Sequence, residues 1–508
     1  MSSRRAAVFS TTGRVAGAAR ILAVGVSGTI MAAAVVMAAV AAVPVAARSG
    51  QVPQRGRPPD VAQPPMSTLQ IARRQLSNGL AVWIVEQHGL PVVQMSLQVQ
   101  AGNDTDPPGR YGLASLTAAM LTEGAGSRSA VEIADTLDGL QANLSATSTA
   151  DSSSVQLSVP VGQLATALPL MADVSQRPTF PTEALDRLRR RRLASILNAR
   201  DNPDAIAALA FARGVFGPSH RNAAGPIGTR EGIEAATAED LKRFHASEYR
   251  PGSSTLLVVG DVDPDEVGQL LDRHFGKWQP PAAASDTAQR VPVLRPSRQL
   301  TVIDLPNAPQ SRILVGSAGP ANAVADLFPL QVLNTVLEGR FNSGRNQTLR
   351  DYTTGVRSGF ELRRSAQPFV AGTAAQSDKT AESLRELLNE LAAVLKEIPP
   401  DELARARDVI ARRFATAFEA SGRISNRLQA LESMVVYNLP DNYYATYVPS
   451  IQAVSAVDVQ RVAGEYLQPD HLVMVVVGDG KTVEPALRTL NVAPVRTLGV
   501  DGLFGPAR

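Results

Sequence analysis

The chain has 508 residues, 44% of them hydrophobic, no cysteine, and a formal net charge of +3 at pH 7. That length supports two or more domains with proper cores rather than one. The absence of cysteine excludes disulfides, thiolate metal sites, cysteine nucleophiles and a lipid-modified cysteine anchor.

Arg4, Arg5, Arg14 and Arg20 precede an Ala/Val-rich run from Ile21 to Ala47, which reads as a signal peptide over residues 1–47. Val45-Ala46-Ala47 is a small-residue site that places cleavage before Arg48. The apolar run is also long enough for the alternative, an uncleaved membrane anchor. Ser3-Arg4-Arg5 is compatible with twin-arginine export as well as with the general route. The leader holds four arginines and no acid, so without it the net charge of +3 falls to −1. A mature chain so nearly balanced offers no electrostatic case for nucleic acid. Export without cysteine fits a bacterial periplasmic protein, with membrane contact only if the leader stays attached.

Residues 48–67 are rich in Pro and Arg without periodicity, a flexible lead-in. Leu80–Val85 and Val92–Val99 are β-rich runs. In the second, Val93, Met95, Leu97 and Val99 alternate with Gln94, Ser96 and Gln98, the period of a half-buried strand. Leu113–Leu121 switches to a helical period, and Val155, Leu157 and Val159 alternate again. Gln163–Val174 and Pro181–Ala199 read as helices, and Thr255–Val259 as a buried strand closed by Gly260-Asp261.

The same order returns about 217 residues later, so the chain is an internal duplication. EAATAEDLKRFHASEY ending at Tyr249 matches QAVSAVDVQRVAGEYL, with Asp240 over Asp458 and Arg243 over Arg461. STLLVVGDV lies over HLVMVVVGDG, and LASLTAAMLTEG (113–124) over LQVLNTVLEG (330–339). The proline-rich segment 278–298 reads as a linker between a first half at 68–277 and a second at 299–490, with 491–508 as a tail. Alternating strands and separate helices predict an α+β fold of two homologous halves, each an antiparallel sheet with helices on one face.

Five stretches carry a family resemblance: LSNGLAVWIVEQHGLPVVQMSLQVQAG (76–102), GRYGLASLTAAMLTEG (109–124), RDNPD (200–204), EYRPGSSTLLVVGDV (248–262) and SGRNQTLRDYTTGVRSGFE (343–361). In order and duplicated, they make residues 68–490 resemble the M16 metallopeptidase family of insulinase, pitrilysin and mitochondrial processing peptidase. The resemblance implies the M16/LuxS-like metallohydrolase fold. Active members carry an inverted zinc motif, H-x-x-E-H, on the first helix of the first half. Ligands at i and i+4 share a helical face and one Zn²⁺, and the Glu at i+3 takes a proton from the metal-bound water.

Laid over this sequence, the two histidines fall on Ser115 and Ala119 and the glutamate base on Ala118. The third ligand, a glutamate from a later helix, falls on Ser195; Asp201-Asn202-Pro203 supplies the acidic-x-Pro turn that follows it. Alanine cannot ligate, and a serine hydroxyl is not among zinc's usual protein ligands. The resemblance therefore implies no catalytic residue, no metal ligand and no cofactor. The five histidines, His88, His220, His245, His274 and His471, form no helical ligand pair. His245 and Glu248 have i,i+3 spacing, but the counterpart of His245 in the second half is apolar. No G-x-S-x-G or P-loop stretch stands in. The run Arg187-Leu-Arg-Arg-Arg-Arg192 reads as a solvated helical face with Leu188 and Leu193 turned inward, or as an electropositive wall toward an acidic partner or peptide.

In heterodimeric members one subunit holds the zinc, and the other contributes an Arg and a Tyr from its second half to grip substrate. That resemblance carries over Arg350, and Tyr352 as the only nearby phenol; the tyrosine position itself aligns with Arg357 or Thr354. The alternative is an ordinary helix-end arginine with Asp351 beside it. The family also implies two sheets facing each other across a hinge to make a chamber, where extended peptides bind by sheet-edge hydrogen bonds. The leading expectation is a non-catalytic subunit that pairs with a zinc-bearing M16 peptidase around an extended peptide substrate. The alternatives are a structural or chaperone-like peptide-binding protein, and an autonomous metallopeptidase.

Overall fold

The computed structural model describes residues 69–279, 296–320, 324–342, 347–365, 368–418 and 424–505. The leader, the lead-in and most of the linker read from the sequence lie outside the described residues. Among the described residues no helix is long and apolar enough to cross a membrane.

The first half opens with β1 (Ala72–Gln75), β2 (Ala81–Glu86), β3 (Val92–Val99), α1 (Leu113–Met120), a small hairpin of β4 (Gly124–Ala125) and β5 (Arg128–Ser129), and α2 (Ala130–Gly139). It continues through β6 (Asn143–Ser148), β7 (Ser153–Pro160), α3 (Leu164–Gln176), α4 (Thr182–Asn198), α5 (Pro203–Phe216), α6 (Arg230–Ala235), α7 (Ala238–Glu248), β8 (Ser254–Gly260) and α8 (Pro264–Phe275). The second half runs β9 (Gln299–Asp304), β10 (Gln310–Ser317), α9 (Leu327–Phe341), α10 (Gln347–Tyr352), β11 (Arg357–Phe360), β12 (Phe369–Gln376), α11 (Thr380–Lys396), α12 (Pro400–Phe418) and α13 (Ile424–Tyr437). It ends with α14 (Tyr447–Ala453), α15 (Ala456–Leu467), β13 (Val473–Gly478), α16 (Gly480–Thr489), β14 (Val495–Gly499) and α17 (Val500–Phe504).

The strand orders are β1-β2-β8-β3-β7-β6 and, read in the same sense, β14-β9-β13-β10-β12-β11. Five strands of each sheet correspond one to one, the duplication expressed as topology. Local chemistry repeats too. Thr237 and Asp240 form a capping box at the start of α7, and Ser455 and Asp458 form one at the start of α15. The sheets are mixed rather than wholly antiparallel. β2 runs parallel to β8 and β9 parallel to β13, with Trp83 opposite Leu257 and Val302 opposite Val476. These partners are far apart in sequence and joined through helices, a connection compatible with parallel pairing that local alternation does not register. β14, within the stretch read as a tail, adds a further parallel strand beside β9. Trp278, read as the start of the linker, is 5% exposed in the first core.

Every residue of β8 and of β13 is buried. A strand apolar on both sides needs cover on both sides. On one side, Leu256 and Val258 join a core with α1, α3 and α8; on the other, Leu257 and Val259 pack against Leu428, Leu431 and Met434 of α13. In the second half Met474 and Val476 face α9 and α11, while Val473, Val475 and Val477 pack against Ile206, Ala207 and Ala210 of α5. Each half thus covers one face of its sheet with its own helices and lends one helix to the other half. The second face of each central strand, which a sheet lining an open chamber would leave bare, is covered by the exchanged helix.

Close packing and polar pairing fix this exchange. A Cβ on Gly214 of α5 would lie 2.6 Å from Cγ1 of Val473, so glycine permits the approach. Under α13, Nε2 of both Gln98 and Gln156 donates to Oε1 of Glu432 at 2.8 Å, which turns the polar alternation of β3 into a clamp on the visiting helix. Leu431 is fully buried in this layer. Leu431→Ala is expected to lower the unfolding free energy by about 2–5 kcal/mol, whereas Leu90→Ala, at a leucine 58% exposed, should change it by no more than about 0.5 kcal/mol. Denaturant unfolding of the two variants checks this; equal effects would contradict the exchanged-helix core.

Candidate functional site

Helix α1 has no side-chain cap of its own. Gly112 at its N-cap takes the left-handed conformation (φ 98°), and the cap comes from Asp106, six residues earlier. Asp106 accepts from the Gly112 N–H at 2.6 Å and from the Ala114 N–H at 2.7 Å. Burial pushes its carboxyl up to about 7, against those two N–H bonds and the nearby Arg221 and Arg192 charges, which favour ionisation. The segment before α6 packs tightly on this end. A Cβ on Gly228 (φ 89°) would collide with the Tyr111 carbonyl, so the loop delivers the Pro226 and Ile227 carbonyls to α1.

Ser115, Ala118 and Ala119 follow on α1, and Ser195 lies on α4. Ser115 is committed on both sides: its hydroxyl donates to the Pro226 carbonyl at 2.6 Å and accepts from Nη1 of Arg192 at 2.7 Å. Nη2 of Arg192 donates to the Ser115 carbonyl at 2.8 Å, and Nη1 also reaches the Ile227 carbonyl at 3.3 Å. Ala118 is buried at 1% exposure. Ser195 turns back on its own helix, donating to the Arg191 carbonyl at 3.0 Å. Burial pulls the Arg192 guanidinium down to about 10 while Asp106 opposes the shift, so it stays protonated at neutral pH.

These residues do not fit zinc. Two of the four positions have no heteroatom in the side chain, both serine hydroxyls are already engaged, and a guanidinium sits on the residue aligned with the first ligand. Among the described residues no group of three or more His, Cys, Asp or Glu side chains is placed to hold a metal ion.

The basic run of α4 divides by helical face. Arg187 pairs with Glu123, and Arg189 with Asp186 and the Ala236 carbonyl; Arg192 docks on Ser115. Arg190 and Arg191 are exposed, and Leu188 is turned inward as expected. Arg192 is the residue that the reading of a basic face missed. Its spacing was a usable signal, since residue 192 precedes 195 by three and shares its helical face.

The side chain of Arg350 lies outside the described residues, although its backbone is in α10. Tyr352 ends that helix, partly buried, with the Lys379 ammonium 5.0 Å from its ring centroid. Both belong to the second half, as does Arg357 at the start of β11; α1 and α4 belong to the first.

Taken together, the geometry defines a duplicated two-sheet scaffold in which a guanidinium is seated between α1 and α4. The chain belongs to the M16 peptidase family. Residues 81–216 match the model described as Insulinase (Peptidase family M16), and residues 235–410 match the model described as Peptidase M16 inactive domain. It is 26% identical over 291 residues to an uncharacterized zinc protease of Mycobacterium leprae, covering 55% of this chain and 63% of that protein. It is 22% identical over 404 residues to a Helicobacter pylori protein described as the non-peptidase homolog YmxG, covering 78% of this chain and 91% of that one. The crystal structure of a peptidase M16 inactive domain from Pseudomonas fluorescens superposes with a TM-score of 0.72 at 25% identity, covering 81% of this chain and 98% of that one.

The candidate pair His245 and Glu248 does not form a metal site. Nε2 of His245 lies 2.9 Å from the Ser175 carbonyl, and the ring stacks on Tyr249 at 4.7 Å. Glu248 instead accepts from the Ser247 hydroxyl at 2.9 Å. Burial pulls His245 down from 6.5 to about 4, with the Ser175 contact opposing. The folded state therefore holds the neutral ring, and its stabilisation is complete above pH 6.5 and lost as pH falls toward 4. The loss amounts to roughly 3 kcal/mol at most. His245→Phe should abolish this part of the acid sensitivity: between pH 7 and pH 4.5 the natural chain is expected to lose about 2 kcal/mol more unfolding free energy than the variant. Equal losses in denaturant titrations at the two pH values would refute the assignment.

Proposed function

We propose that this protein is a non-catalytic, exported M16 subunit that pairs with a zinc-bearing M16 peptidase and helps to hold the extended peptide that its partner cuts. The observation that carries the reading is the metal corner: all four positions of the hydrolytic machinery lack a usable group, and Arg192 docks there, while the two sheets, their helices and the helix exchange are intact. A scaffold kept whole around a site without catalytic groups points to retained binding. The Helicobacter pylori relative, described as a non-peptidase homolog, supports the same reading.

Binding has a physical basis that needs no ionisable group. Among the described residues β6 is an edge strand paired with β7 alone, and an edge strand is the place where an extended chain can add by main-chain hydrogen bonds. It packs beside α1, so a peptide laid along β6 passes the corner where the zinc enzymes cut. Arg350 and Tyr352, carried over from the zinc-free subunits of the family, are proposed as a second point of grip from the other half.

Purified chain, mixed with a zinc-bearing M16 peptidase from the same organism, is expected to form a one-to-one complex in analytical ultracentrifugation. It should raise the partner's kcat/KM on an extended peptide by about tenfold or more, a transition-state stabilisation of about 1.4 kcal/mol. The isolated chain should contain far less than one zinc per molecule and cleave nothing. A complex with unchanged activity would favour a structural or chaperone-like role instead. No complex at all, or chelator-sensitive cleavage by the isolated chain, would defeat the proposal.

A further inference from the structure

We infer that Arg192 is a built-in cation that takes over the divalent ion's cross-linking place between α1 and α4 and keeps the metal out. The inference deepens the non-catalytic reading and rests on it.

The argument starts from direction along α4. Ser195, aligned with the third metal ligand, and Arg192 are one turn apart on the same face, so the side chain of residue 192 leans toward the same neighbour. That neighbour is α1, and the guanidinium lands on Ser115, aligned with the first ligand. Its fork spans the hydroxyl at 2.7 Å and the carbonyl at 2.8 Å, and a third contact reaches the Ile227 carbonyl at 3.3 Å. A metal ion in an active relative joins a residue of the first helix to a residue of the later one; here planar N–H donors make that connection. Directional hydrogen bonds to two atoms of a single residue set the spacing of the helices much as two metal–ligand bonds would.

The acceptors are arranged for a cation. The Ser115 hydroxyl cannot point its hydrogen at Arg192, because it donates to the Pro226 carbonyl; its lone pairs therefore face the guanidinium. Asp106, buried at the start of α1, is the nearby countercharge. A second cation could not share this corner. Two positive charges within a few ångströms in a partly buried site repel far more strongly than in water. Arg192 also cannot release its charge by losing a proton near neutral pH, since its pKa remains near 10.

A zinc-affinity comparison of rebuilt chains tests the exclusion. One variant carries Ser115→His, Ala118→Glu, Ala119→His and Ser195→Glu with Arg192 kept; the other carries the same four changes plus Arg192→Leu. Titration with Zn²⁺ against a chromogenic chelator, with circular dichroism as the check on folding, should give the five-change chain about one site per molecule. Its affinity should exceed that of the four-change chain by about 100-fold or more. Equal affinities, or no binding by either folded variant, would overturn the inference. The cross-linking half is read in the natural sequence. Arg192→Leu alone should speed hydrogen exchange at the α1 amides by about tenfold or more while leaving exchange in β13 unchanged, and unaltered α1 exchange would remove it. Neither readout involves a partner protein, so a failure here is distinct from a failure to activate a zinc peptidase.

Discussion

Two central strands without a polar face govern the architecture. β8 and β13 are buried along their whole length, so each must be covered on both sides, and the helices within one half cover only one side. The remaining cover comes from exchange: α13 lies across the first sheet and α5 across the second. Neither half can bury its central strand alone, which makes the duplicated halves a single folding problem despite their independent-looking sequences. The exchange also explains polar residues that would otherwise be misplaced. Gln98 and Gln156 sit on the covered face of the first sheet, and Glu432 arrives on α13 to accept from both. Burying an amide without a partner costs more than the bond returns, so this clamp favours one seating of the helix over its neighbours.

The legible and illegible parts of the fold divide along the same line. The Gly260-Asp261 and Gly478-Asp479 strand ends are local and appear where the sequence places them; the alternation in Val93–Val99 does form a strand, but not a half-buried one, because Ser96 and Gln98 are buried under α13. Parallel pairing of β2 with β8, the addition of β14 beside β9 and the exchange of α5 and α13 depend on partners far away in the chain, and no local period encodes them. One clue was present. An all-apolar run such as Leu256–Val259 is the mark of a strand covered on both faces, and it sits poorly with helices on one face only.

The site divides in a similar way. That Ser115, Ala118, Ala119 and Ser195 leave no ligand set follows from residue identity alone. That a cation is nevertheless present required knowing which helix faces α1, because Arg192 looks like one more member of a basic run until α4 is docked. Its neighbours show how little the composition of such a run says. Arg187 and Arg189 make surface ion pairs of modest worth, whereas Arg192 bonds two atoms of one buried serine. Removing a divalent ion from a packed corner leaves lone pairs without a partner and helices without a link. A guanidinium answers both needs with hydrogen bonds and without any capacity to activate water.

The covered sheets narrow what the molecule can do with a peptide. The exchanged helices cover the central strands, so the proposed recognition of extended chains is placed at the sheet edges. On β1 the Arg73 guanidinium pairs with Asp441 at 2.6 and 2.7 Å and lies 4.4 Å from the centroid of the Trp83 ring on the neighbouring strand β2. β6, at the opposite edge of the sheet, lies next to α1. On the proposed reading, a peptide added there would gain main-chain hydrogen bonds but meet a filled corner in place of a hydrolytic one. An edge touches a peptide from one side only. Enclosing the other side would take a second molecule, which is what the proposed pairing supplies.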